Sequence, residues 1–213
     1  MRRIFPLVIA LVIIFGLTVT GRADLIDMKD GTVYDTDTQL TWLKDANYAE
    51  TSGYNINGLT PWNEAKALVD SLVFAGFDNW RLPKSVPNPP EGPIWTTYYN
   101  MTGSEMGHLY YIELDNEAAM GGPASQLKPG PFINVIQSGY WSETPVAGYA
   151  DRFWVFNFSG GGQGGQGAFI EQPLYVWPVR EGERSIPTPE PSLMVLLGIS
   201  MASIAGLKRW WKE

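Results

Sequence analysis

Apolar residues recur at helical spacing in one clear stretch of this chain: Trp62, Ala65, Leu68, Val69, Leu72 and Val73. This spacing predicts a helix from about Pro61 to Ala75. Thr60 stands at the N-cap, Pro61 suits the first helical position and Gly76 is a natural stop. A second helix is predicted from Ser104 to Leu114 with Ser104 as its cap, although Leu109-Tyr110-Tyr111-Ile112 also reads as a strand. Elsewhere the pattern is of short strands: Thr32–Tyr34, Leu40–Leu43, Tyr140–Ser142, Phe153–Phe158 and Leu174–Val179. In the fourth of these, alternation puts Phe153, Val155 and Asn157 on one face and Trp154, Phe156 and Phe158 on the other. The fold class these elements predict is α+β, with mostly antiparallel short strands and one or two helices.

Two apolar runs lie outside that pattern, one at each end. Met1-Arg2-Arg3 is followed by an almost wholly apolar stretch from Ile4 to Thr20, then Gly21-Arg22-Ala23 with small residues at −3 and −1. This is the layout of a secretory signal peptide, cleaved between Ala23 and Asp24; an uncleaved anchor is the alternative. The second run, from Ser192 to Leu207, is about 24 Å long as a helix, short for a bilayer core of about 30 Å. Basic residues lie on the terminal side of both runs, which puts both tips in the cytoplasm and the intervening residues outside it.

Pro189-Glu190-Pro191, that apolar run and Lys208-Arg209-Trp210-Trp211-Lys212 together resemble the PEP-CTERM sorting signal. The resemblance implies an exosortase-type processing enzyme as partner, transient residence in the inner membrane, and delivery to the cell surface or beyond. The expected organisation is a signal peptide over 1–23, a domain over 24–182, a linker over 183–191 that holds the Pro-Glu-Pro triplet, and a sorting helix with its basic tail over 192–213.

Charge and composition narrow the chemistry. Six of the 15 lysines and arginines and one of the 22 acids fall outside residues 24–191, so that part carries 9 basic against 21 acidic side chains, a formal charge of −12. Nucleic acid, bound by neutralising phosphates, is excluded as a partner. The chain has no cysteine, which removes thiol nucleophiles, cysteine–zinc sites and disulfides. Its single histidine, His108, excludes any multi-histidine metal site within the chain.

Several blocks then follow in order: Asp30-Gly31-Thr32-Val33-Tyr34-Asp35 with Thr38-Gln39-Leu40-Thr41-Trp42, the Trp62 helix, Gly76-Phe77-Asp78-Asn79-Trp80-Arg81-Leu82-Pro83, Ser104-Glu105-Met106-Gly107-His108, Gly139-Tyr140-Trp141-Ser142-Glu143-Thr144 and Val176-Trp177-Pro178-Val179-Arg180. Their order resembles the Lcl-type C-terminal domain, a bacterial family of unknown function placed near C-type-lectin-like folds. The resemblance implies that the first and last strands pair, Thr32–Tyr34 with Leu174–Val179, and that Trp42, Trp80, Trp141 and Trp177 are core residues. It also implies binding rather than catalysis, with exopolysaccharide or another envelope component as ligand; a structural or adhesive matrix protein without a sugar site is the alternative. Asn79-Trp80-Arg81-Leu82-Pro83 resembles the formylglycine-generating enzymes too, but their chemistry needs cysteines that this chain lacks.

Candidate chemistry is sparse. Hydrolase chemistry finds no Gly-x-Ser-x-Gly elbow, and a lone histidine is usually a hydrogen-bonded structural residue. Acid pairs such as Asp35 with Asp37, or Glu105 with Glu113, fit glycosidase work, but nothing in the spacing selects them. Asp35-x-Asp37 offers alternate oxygen ligands without the glycine and distal glutamate of an EF-hand, so calcium is the one cofactor left open and the metal site is unassigned. Tyr98, Tyr99 and Tyr149, in loop-like sequence, are the expected stacking residues for a ligand, beside the proline-rich Leu82–Pro93 loop. Ser159 to Gly167 reads as a flexible glycine linker.

Overall fold

The computed structural model describes residues 24–86, 97–120, 126–164 and 168–183. The signal segment up to Ala23, the centre of the proline-rich loop, the Pro189-Glu190-Pro191 triplet and the sorting run lie outside the described residues. No described helix is long and apolar enough to cross a membrane.

The described residues form an α+β arrangement of two small, mostly antiparallel sheets and a few helices. In the first sheet β1 (Leu25–Asp27), β2 (Thr32–Asp35), β3 (Leu40–Leu43) and β8 (Val179–Glu181) lie in the order β1-β2-β3-β8, all antiparallel. The second sheet joins β4 (Gly139–Pro145), β5 (Arg152–Asn157) and β6 (Gly162–Gln163), with β7 (Ala168–Phe169) also paired to β5. A register shift between Trp141 and Pro145 marks a bulge in β4.

Alternation explains how the second sheet serves two cores. Trp154, Phe156 and Phe158 are 2%, 0% and 1% exposed, as the period-two pattern predicts. Phe156 and Phe158 pack with Tyr140, Val33, Trp42, Trp177 and Val179, and so join the two sheets in one cluster. Trp141 and Val155 face the other way, against Ala49 of the short helix α1 (Tyr48–Thr51) and Ala65, Leu68 and Val69 of the main helix α2 (Trp62–Ser71). Trp62 stacks on Phe153 with ring centroids 3.6 Å apart and donates its indole N–H to the Ser142 carbonyl. A third cluster holds Trp80 with Leu43 and Leu72. All four tryptophans predicted to be core are buried.

The element boundaries differ from the sequence reading in several places. Helix α2 begins at Trp62 with Pro61, not Thr60, at its N-cap, and without a side-chain cap. Thr60 instead pairs its backbone with Leu174 in both directions. The helix ends at Ser71 rather than Ala75, because Phe74 and Phe77 exchange two backbone hydrogen bonds around Ala75 (φ 53°) and Gly76 (φ 86°). That is a type I′ hairpin turn, which demands left-handed backbone at both central residues.

The predicted strand Leu174–Val179 is broken up and does not pair with Thr32–Tyr34. Leu174 bridges to Thr60, Tyr175 lies beside Tyr140 of β4, and only Val179–Glu181 forms a strand, on β3. Two causes are visible. Pro178 has no N–H to donate to a ladder, and β2 is already flanked by β1 and β3. The last strand therefore takes the open edge of β3.

The glycine linker is partly structured, since Gly162 and Gln163 pair with β5 and Gln163 is fully buried. Leu109 to Glu113 is no strand: it is a π-helical turn continuing α3 (Glu105–His108), whose cap is Ser104, as predicted.

Candidate functional site

The β2–β3 turn and the start of α3 meet at one polar cleft of about 690 Å³. Its wall carries Thr38, Gln39, Thr102, Ser104, Glu105 and His108, and the end of β8 completes it with Glu181 and Gly182. The turn is set by Asp35, a 1%-exposed residue whose carboxylate accepts from the backbone N–H groups of Asp37 (2.9 Å) and Thr38 (3.1 Å) and from the Thr38 hydroxyl (2.6 Å). The opposite wall is set by the α3 cap, where Ser104 Oγ accepts from Gly107 N at 3.0 Å and donates to the Met101 carbonyl at 2.8 Å. Both roles of the Ser104 hydroxyl are thus taken up in capping the helix.

Glu105 anchors the cleft to the first sheet. Its two carboxylate oxygens accept from Nη1 and Nη2 of Arg81 at 2.8 Å each, and Oε2 also accepts from the Lys84 backbone N–H at 2.7 Å. Arg81 in turn exchanges backbone hydrogen bonds with Val179 of β8. Burial opposes the charge of this guanidinium, but the paired Glu105, with Glu143 and Glu181 nearby, holds its pKa above the ordinary value. Arg81 thus makes a structural ion pair in the bidentate geometry guanidinium favours.

Three of the four acids that sequence spacing could not select, Asp35, Asp37 and Glu113, are brought together behind the cleft. His108 Nε2 lies 3.1 Å from Asp37 Oδ2 and 3.3 Å from Glu113 Oε1. Asp35, His108 and Glu113 each offer a ligand atom, and these atoms all lie within 4.8 Å of one another. The Glu113 side chain is 1% exposed. Burial and the nearby Asp35 carboxylate push its pKa up, against a lowering contribution from His108. Glu105 and Glu113, named together from the sequence, separate: Glu105 serves Arg81 and Glu113 serves His108.

Tyr98, Tyr99 and Tyr149 do not line this cleft. All three are half-buried. Tyr98 pairs its backbone with Gln163 and packs edge-on against Trp154, with ring centroids 6.5 Å apart. Tyr149 lies under the Arg152 guanidinium at 5.2 Å, and Phe169 lies under it at 4.1 Å. Arg152 and Trp154 are two residues apart on β5, so Tyr98 and Tyr149 sit along the same strand face.

The class the fold defines is thus an α+β scaffold with a polar cleft and an imidazole–carboxylate cluster behind it. Residues 31–86, about a quarter of the chain, match the Lcl C-terminal domain. The match takes in β2, β3, α2 and the Trp80-Arg81-Leu82 segment, and so carries the Thr38–Leu40 wall of the cleft; Ser104 to His108 lie beyond it. No curated protein and no solved structure matches the chain.

Proposed function

We propose that the chain is an exported, non-catalytic binding protein of the cell surface or extracellular matrix, whose C-type-lectin-like domain over 24–182 takes a polyhydroxylated ligand such as exopolysaccharide. The observation that carries this reading is the cleft itself. Hydroxyls of Thr38 and Thr102, the Gln39 amide and the carboxylates at its rim are the donors and acceptors that sugar hydroxyls pair with, and the space suits a small ligand. The tyrosine face of Tyr98 and Tyr149, with Tyr99 next to Tyr98 in the chain, is a second surface of the right chemistry, since aromatic rings stack on sugar rings and their hydroxyls donate. Against catalysis stand the occupied Ser104 hydroxyl and the missing cysteines.

A glycan-array screen of the exported chain, with and without calcium, tests the reading. Saturable binding to a polysaccharide, weakened by Thr102→Val or Gln39→Ala, supports the cleft; weakening by Tyr98→Ala or Tyr149→Ala supports the tyrosine face instead. Absence of any glycan binding favours the structural matrix reading, and turnover abolished by His108→Ala would refute the non-catalytic one. For sorting, Pro189, Glu190 and Pro191 are replaced by alanine and the cells fractionated. An unchanged size and location would exclude processing at this signal by an exosortase-type enzyme.

A further inference from the structure

We propose that Asp35, His108 and Glu113 form a binding site for one divalent transition-metal ion of the zinc or manganese class. The inference stands apart from the glycan reading and needs none of it.

The geometry comes first. An ion bound about 2.0–2.2 Å from its nitrogen and oxygen ligands holds those ligands roughly 3–4.4 Å apart. The donor atoms of Asp35, His108 and Glu113 all lie within 4.8 Å of one another, so a slight closing of the side chains brings them onto one ion. These residues come from two separate elements, the β2–β3 turn and the α3 helix with its π turn, and both are fixed before any ion arrives. The Asp35 carboxylate is held by its three turn hydrogen bonds, and the π turn places Glu113 and His108 on one side.

Charge is the independent argument. Asp35 is 1% exposed and the Glu113 side chain is 1% exposed, yet among the described residues neither has a lysine or arginine in an ion pair. Buried carboxylates are normally paired or metal-bound, because desolvating them otherwise costs several kcal/mol. The turn hydrogen bonds on Asp35 stabilise its charge without cancelling it, and each carboxylate oxygen retains a further lone pair. One imidazole between two buried carboxylates leaves negative charge that a divalent cation would neutralise.

Donor chemistry selects the class of ion. Calcium and magnesium take all-oxygen sets, whereas an imidazole nitrogen in the set favours transition metals such as zinc, with carboxylates also suiting manganese. His108 also lines the open cleft, the side from which water would complete the coordination.

The test uses the full-length chain, stripped with a chelator, titrated with zinc, manganese and calcium chlorides by calorimetry, with free manganese followed by its electron-spin resonance. The expected result is one zinc or manganese ion per chain, bound at least about tenfold more tightly than calcium. Glu113→Gln and His108→Ala should each weaken it at least about tenfold, while Asp151→Asn, remote from the cluster, should leave it unchanged. Glu113→Gln removes a buried charge without changing shape, so it reports on binding even if His108→Ala misfolds. No saturable binding below about 1 mM, or equal binding by wild type and both cluster variants, overturns the proposal.

Discussion

At the residue scale the clearest contrast is between Arg81 and Arg180. Arg81 is matched by Glu105 in a two-bond fork. Arg180 is 3% exposed, and among the described residues its buried Nε and Nη2 have no hydrogen-bond partner, while Nη1 donates to the Glu181 carbonyl. Its guanidinium lies 3.5 Å from the Phe77 ring centroid and 5.9 Å from that of Trp80. Burial lowers its pKa and Asp30 only partly offsets this. The side chain therefore works mainly as a flat packing surface. Arg180→Met should keep that surface and remove the desolvated charge, so urea unfolding should show stability within about 1 kcal/mol of wild type, or higher. Arg180→Ala should lose the packing and be the less stable of the two. A cost above about 3 kcal/mol for the methionine variant would mean that the charge itself is needed.

At the element scale, α3 is a helix of four residues made possible by two local features. Ser104 caps it, and Gly107 lets it sit on the preceding turn: a Cβ at Gly107 would lie 2.0 Å from the Met101 carbonyl oxygen and 2.5 Å from Ser104 Oγ. Alanine normally beats glycine inside a helix by about 1 kcal/mol. Here the sign reverses, because a backbone oxygen cannot step aside. Gly107→Ala should destabilise the protein, whereas Ser104→Gly should cost only a few tenths of a kcal/mol. Thermal unfolding of the two variants checks this, and a Gly107→Ala protein as stable as wild type would refute the close approach.

The cap was legible in the sequence, as was the aromatic face of β5, because both follow from local spacing. Other features depended on distant partners. Thr60 was drawn from the cap position by Leu174, and Leu174 to Val179 was divided among Thr60, β4 and β3 around Pro178. The imidazole–carboxylate cluster was equally hidden. Asp35 and Asp37 lie more than 70 positions before His108, and no spacing rule joins a hairpin turn to a π turn. The signal that could have found it was weak: a lone histidine, and an Asp-x-Asp at a turn.

At the scale of the whole molecule, the stretch that matches the Lcl C-terminal domain is smaller than the unit that can bury its own core. Residues 31–86 supply Val33, Leu40 and Trp42, but their cluster is completed by Leu109, Phe132, Tyr140, Phe156, Phe158, Trp177 and Val179 from later elements. Helix α2 likewise needs Trp141 and Val176. Residues 24–182, by contrast, begin with the β1 edge and end where Gly182 is tied to β3: its N–H donates to the Gln39 carbonyl at 2.9 Å and its carbonyl accepts from the Thr41 hydroxyl at 2.6 Å. We expect fragment 24–182 to unfold in one cooperative urea transition with native near-ultraviolet circular dichroism, since its buried indoles require fixed packing. Fragment 31–86 should show no such transition: without the later strands Trp42 loses Tyr140, Phe156 and Trp177 from its cluster, and a chain of this size folds only marginally even when its core is complete. A cooperative transition in fragment 31–86 would make the family match an autonomous unit and the later strands an addition to it. Failure of fragment 24–182 to fold would mean that residues beyond Gly182 contribute to the core.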